Sequence, residues 1–222
     1  QELELSLTEE NYLKAIWSLS GDTRKGVSTN KLAARLETKA SSVTDMVRRL
    51  SEKGLVDYVK YQGVKLSDDG KAVAVRVIRK HRLWESFLVD KLGFNWDEVH
   101  DLAEQLEHIR SQELTDRLDA FLGHPACDPH GDPIPDAEGE MRLEKLILLN
   151  TTKKNVLYRI ANVKDNSKSL LQFLDKHSLT IDSELTVIDK FDFDDSVTVK
   201  LADGNTLTLS KKICANVYVT IK

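Results

Sequence analysis

Residues 100–108 read HDLAEQLEH. On a helix turning about 100° per residue, His100, Glu104, Glu107 and His108 share an arc of about 100°. Leu102, Leu106 and Ile109 fall outside that arc and supply the packing face. A second pair, His81 and Glu85, stands at i, i+4 on the helical stretch before it. Imidazole with carboxylate suits a borderline-to-hard divalent cation such as Mn2+, Fe2+, Co2+ or Zn2+, and no thiolate is present to favour a softer one. One such pair is ordinarily solvated surface, but six donors from two neighbouring helices favour a metal centre. The HExxH spacing of a metalloprotease is absent, as are nucleophile motifs and oxyanion signatures, so the pattern argues against an enzyme. His124, Cys127, Asp128 and His130 lie in HPACDPHGDPIPD, which holds all four prolines of the chain. That stretch reads as a rigid extended crossing rather than a separate metal site.

The elements that must position these donors follow from pattern and punctuation. At 222 residues the chain can form two or three domains with real cores. Thr8 is a good N-cap for a helix through Tyr12, Leu13, Ile16, Trp17 and Leu19. Ser28-Thr29-Asn30 opens a short helix, and TKASSVTDMVRRLSEKG a second one ending at Gly54. LVDYVKY and VKLS then read as two strands about Gln62-Gly63. Helix, two short helices and a hairpin is the order of a winged helix-turn-helix. From Ser67 a helix of about twenty-five residues runs to Gly93, an Asn95-led helix carries the opening stretch, and another covers roughly 112–122. Beyond about 150, short β-type runs around the helix candidate KSLLQFLDKHS fit a small SH3-like barrel.

Charge is divided unevenly. Residues 1–91 carry 17 Lys/Arg against 13 Asp/Glu, residues 92–150 carry 4 against 14, and residues 151–222 carry 11 against 9. The mildly basic first part tolerates an anionic partner, and the acidic middle suits cations. No apolar run reaches the length of a membrane span, and QELELSLTEEN is unlike a secretory signal. Cys127 and Cys214 form no CxxC pair. A reduced, cytoplasmic protein is the expectation.

HRLWESFLVDKLGFNWDEVHDLAEQLEH resembles the metal-binding core of the diphtheria toxin repressor family, the iron- and manganese-dependent bacterial regulators. The resemblance extends over the whole chain. It implies a mainly α protein with α+β parts: a winged helix-turn-helix over 1–70, a helical metal-binding and dimerisation domain over 71–148, and an SH3-like, FeoA-type β-barrel over 149–222. It further implies a repressor that binds double-stranded operator DNA as a homodimer when loaded with Mn2+ or Fe2+ and controls metal-uptake genes, with no membrane partner and no small organic substrate. Co2+, Ni2+ or Zn2+ would substitute in vitro.

Two metal sites per subunit follow from the resemblance. His81, Glu85 and His100 match one. Glu104, Glu107 and His108 match the other, completed from the N-terminal helix. Glu104 stands where the diphtheria toxin repressor has cysteine, and its hard oxygen favours manganese or ferrous iron. Asn11 occupies the N-terminal ligand position, where iron-type members carry methionine and manganese-type members aspartate. Lys14 falls where the manganese regulators place a second carboxylate. Asp165 or Asn166 is a candidate for completing the first site from the barrel.

In a winged helix the second helix of the turn enters the major groove. Lys39, Ser41, Ser42, Thr44 and Asp45 then face DNA, with Arg48 and Arg49 further along and Lys60, Gln62 and Lys65 on the wing. Asp45 is dissonant beside phosphate, yet it can accept from a cytosine amino group. The competing reading is a metal-independent winged-helix adaptor whose acidic helices bind a protein partner.

Overall fold

The computed structural model describes residues 4–21, 26–59, 62–164 and 167–222. Lys60, Asp165 and Asn166 therefore lie outside the described residues. The chain divides into two compact units: Gln1–His81 with Glu104–Gln112 and Pro135–Glu140, and Arg82–Ala103 with Glu113–Ile134 and Met141–Lys222.

In the first unit, helix α1 covers Leu7–Ser20 and is capped by Ser6 rather than by Thr8. The Ser6 hydroxyl accepts the Glu9 N–H at 3.2 Å, and the Glu9 carboxylate accepts the Ser6 N–H at 2.9 Å. This reciprocal box needs Glu or Gln three residues after the cap, which Ser6 has and Thr8, followed by Asn11, lacks. Ser28 caps α2 (Thr29–Arg35), and α3 (Ala40–Glu52) follows. Val43, Val47 and Leu50, at helical spacing on α3, are fully buried with Leu13, Ile16, Leu32 and Val64. Strands β1 (Val56–Val59) and β2 (Gly63–Leu66) pair antiparallel. Gly63 has φ +90°, and a Cβ there would come within 2.7 Å of the Val27 carbonyl, so the hairpin closes only on glycine. The order is the winged helix-turn-helix that the sequence predicts. Helix α4 (Asp68–Asp90) adds Ala74 to the same core.

The sequence predicts a helix led by Asn95 that runs through residue 108. The structure begins α5 at His100 and ends it at Leu106. At the start, the Glu98 carboxylate takes the Asn95 N–H at 3.0 Å and holds the chain in a turn. At the end, the Ile109 N–H closes on the Leu106 carbonyl at 3.2 Å, a tightened last turn that carries Glu107 and His108 off the helix. Helix α6 covers Gln112–Phe121.

In the second unit, Leu83, Leu118 and Ile134 form one small core with Trp84, Phe87 and Leu122. The remainder is an antiparallel six-stranded sheet in the order β3-β8-β4-β5-β6-β7. Its strands are β3 (Ile147–Leu148), β4 (Leu157–Val163), β5 (Glu184–Phe191), β6 (Ser196–Leu201), β7 (Thr206–Leu209) and β8 (Val217–Ile221). Helix α7 (Lys168–Lys176) buries Leu171 and Leu174 against Val163, Val187, Val199 and Val219, and Trp96 joins that core.

Candidate metal centre

The first unit gathers one group of donors around Glu107, whose side chain is 0% exposed. Lys14 of α1 donates to both carboxylate oxygens, at 2.9 and 2.8 Å. The His81 Nδ1 lies 2.5 Å from Glu107 Oε2, and Glu104 Oε1 lies 3.7 Å from the Lys14 ammonium. Burial alone would raise the Glu107 pKa. The His81 hydrogen bond and the charges of Lys14 and His81 outweigh it, and the pKa falls below the usual carboxylate value.

His108 completes this group. Its Nδ1 is 2.5 Å from Glu10 Oε2 on α1, and its Nε2 is 3.7 Å from Glu107 Oε1. A carboxylate only accepts, so Nδ1 carries the hydrogen, and Nε2 of the neutral ring keeps its lone pair. A carboxylate behind an imidazole is how metal-ligating histidines are held. Asn11 is exposed, whereas Glu10 meets His108. Sequence reasoning missed Glu10, although a signal existed: Glu10 lies four residues before Lys14, so a helix that turns Lys14 toward the acids turns Glu10 there too.

The second unit holds a different group, centred on the buried Glu85 of α4. Its Oε1 is 3.4 Å from His100 Nδ1 and its Oε2 is 3.3 Å from His130 Nδ1. His81 precedes Glu85 by one turn of the same helix. His130 Nε2 lies 2.7 Å from the Trp96 carbonyl, so that nitrogen must donate. Burial would lower the His130 pKa. The Glu85 hydrogen bond and charge, the Asp128 charge and the Trp96 carbonyl instead raise it to about 9. Asp128 is pushed up, first by burial and then by Asp132 and Glu85. The ligand atoms of Glu85, Asp128 and His130 lie within 4.8 Å of one another, a spacing that could hold an ion.

The proline-rich crossing is rigid, as the sequence suggests, but it also turns Asp128 and His130 onto Glu85. Asp128 Oδ1 accepts the His130 and Asp132 N–H groups at 2.8 and 3.0 Å. The Val163 N–H of β4 donates to the His130 carbonyl at 3.0 Å. Gly131 has φ +86°, and a Cβ on it would lie 2.0 Å from the Ala161 carbonyl. His124 pairs instead with Asp119 at 3.2 Å, and Cys127 is exposed.

On α3 and the hairpin, Lys39, Ser41, Ser42, Asp45, Arg48, Arg49, Gln62 and Lys65 are exposed. Thr44 is half-buried, and its hydroxyl donates to the Ala40 carbonyl at 3.1 Å.

Three family models match: the N-terminal DNA binding domain of iron dependent repressors over residues 4–64, their metal binding and dimerisation domain over 67–136, and the FeoA domain over 147–221. The iron-dependent repressor IdeR of Mycobacterium tuberculosis is 37% identical over 134 residues, 60% of this chain and 57% of that protein. The chain thus spans a little over half the length of such curated relatives. A solved structure described as a manganese-dependent transcriptional repressor in complex with manganese is 36% identical with a TM-score of 0.88, covering 96% of this chain and 100% of the other. The manganese regulator SloR is 32% identical with a TM-score of 0.75, covering 96% and 98%.

Proposed function

The chain belongs to the iron-dependent repressor family, the diphtheria toxin repressor family, and from that premise we propose that it is a metal-dependent transcriptional repressor. In this reading it occupies operator DNA as a homodimer when loaded with Mn2+ or Fe2+, in the compartment that holds the chromosome. Glu104, Glu107 and His108 hold one ion together with a donor from α1, at Asn11 or Glu10. His81, Glu85 and His100 hold another.

The donor set fits such ions: hard oxygens and imidazoles, with Nε2 of His108 left as a lone pair by the Glu10 contact. A bound ion would supply a divalent charge that draws carboxylates and imidazoles together. The protein's own part is mechanical. Glu107 and His108 face Glu10 and Lys14 on the first helix of the winged helix, so whatever tightens that group sets the position of α1. The α3 residues and the wing follow α1 through the shared core of Leu13, Ile16, Val43 and Val47. Coupling between ion and DNA is then reciprocal. The observation that carries the reading is this placement of the acid–imidazole group directly on α1.

Capture of genomic fragments by the metal-stripped protein tests it, repeated anaerobically with Mn2+ or Fe2+ and with Glu107→Ala. Capture of a few promoters only with metal, and lost in the variant, is expected. Equal capture with and without metal would instead favour the adaptor.

A further inference from the structure

Lys14 is the one ammonium described in contact with Glu107, and its side chain is 14% exposed. A carboxylate with no exposed surface must be paired, since an uncompensated buried charge costs several kcal/mol. Lys14 supplies that pairing: both Glu107 oxygens lie within 2.9 Å, with His81 Nδ1 at 3.4 Å and Glu104 Oε1 at 3.7 Å. These are residues that the repressor reading gives to metal, and a cation already stands among them.

We propose that Lys14 is a built-in competitor for the divalent ion, occupying the space between Glu104 and Glu107 in the metal-free chain and setting the metal concentration at which the chain responds. The ion binds by exchange. Lys14 would then give up Glu104 and Glu107 and swing outward on its four-carbon stem, since its side chain is 14% exposed. Lysine suits the task. Its ammonium is a strongly hydrated point charge without the bidentate fork by which arginine would grip a carboxylate. The exchange also limits the charge gained at the centre, because one positive charge departs as two arrive. The metal-free chain keeps α1 tied through Lys14–Glu107 and Glu10–His108, so the ion replaces a tie rather than creating one.

This inference rests on the repressor reading, and the experiment separates their failures. Mn2+ is titrated anaerobically into the metal-stripped protein, without DNA, against a chromophoric chelator, for the wild type, Lys14→Met, Lys14→Arg and Glu107→Ala. Lys14→Met is expected to bind roughly tenfold tighter at the step that Glu107→Ala abolishes, the scale of one charge-assisted hydrogen-bonded pair. Lys14→Arg, which keeps the cation, is expected to bind no tighter than the wild type. In parallel, limited acylation of the wild type with acetic anhydride, read by mass spectrometry, is expected to find Lys14 protected in the stripped protein and reactive once Mn2+ saturates it. Unchanged or weaker binding by Lys14→Met, with Glu107→Ala still abolishing that step, would overturn the competitor role and leave the metal site standing. Full binding by Glu107→Ala would sink the site and the inference together. Should Lys14→Met not fold without metal, the acylation pattern decides: equal protection with and without Mn2+ overturns the proposal.

Discussion

The two donor groups are made of the same chemistry and built in opposite ways. Around Glu107, each tie runs between a side chain of α1 or α4 and residues on or just past a short helix, and a lysine is part of the arrangement. Around Glu85, a proline-rich loop is fixed by a backbone hydrogen bond to β4 and by its own aspartate, and no lysine contact is described. One group is held together by side-chain contacts between α1, α4 and the end of a short helix. The other is set into a scaffold that can do little but keep its shape. Within one protein, then, similar donors are supported in two different ways, by side chains in one group and by backbone and loop in the other.

The sharpest way to break this comparison is Gly131→Ala. Its Cβ would collide with the Ala161 carbonyl at a positive φ, so a loss of about 3 kcal/mol or more is expected in urea unfolding of the metal-free protein. A loss below about 1 kcal/mol would mean that the loop gives way and the scaffold description is wrong.

The next effect is of pH, and the two groups should fail at opposite ends. His130 has a raised folded pKa. Its contribution is fully present below the ordinary histidine value of 6.5 and is lost as pH rises through about 9. Glu107 has a lowered folded pKa, so its contribution is present above the ordinary carboxylate value of 4.5 and is lost as pH falls through and below it. The alkaline limb, spanning 6.5 to about 9, should amount to about 3 kcal/mol, and the acid limb has the opposite direction. Metal-free stability measured across pH should lose its alkaline limb in His130→Gln and its acid limb in Glu107→Gln. Flattening of the wrong limb would contradict the assignment.

The smallest expected effect sharpens the contrast with Lys14. Arg110 also reaches the N-terminal segment, donating to Glu4 at 2.7 Å, but the two side chains are 65% and 83% exposed. Arg110→Ala should change stability by no more than about 0.5 kcal/mol in the same unfolding assay.

How much of this was legible in the sequence depended on the range of the interactions. The winged helix was readable because helical and strand periods, Gly54 and the Gln62-Gly63 turn are local signals, and the core of α3 obeys them. All six acid and histidine positions taken from spacing have described contacts inside the two groups, with His81 against Glu107. On α1 the residue that meets His108 is Glu10, one position before Asn11, and spacing alone does not show it because the direction of a helix face depends on what packs behind it. Ser6 displaced Thr8 as the cap through a carboxylate three residues on, a signal that was present and unread. Asp128 and His130 were the least legible. Their approach to Glu85 is fixed by β4, some thirty residues later in the chain, and no local period encodes it.

The strand order carries a consequence for how the molecule comes into being. Strand β8 lies between β3 and β4 and pairs with both. While the chain is still being synthesised, β4 has no partner on that side until residues 217–221 emerge. The loop that presents His130 leans on β4, so the hold on the histidine is tied to a strand whose pairing is completed by the chain's C-terminal segment. The contacts that hold the buried group thus span a long stretch of sequence, from Glu85 through the loop to β4, the kind of pairing that forms slowly.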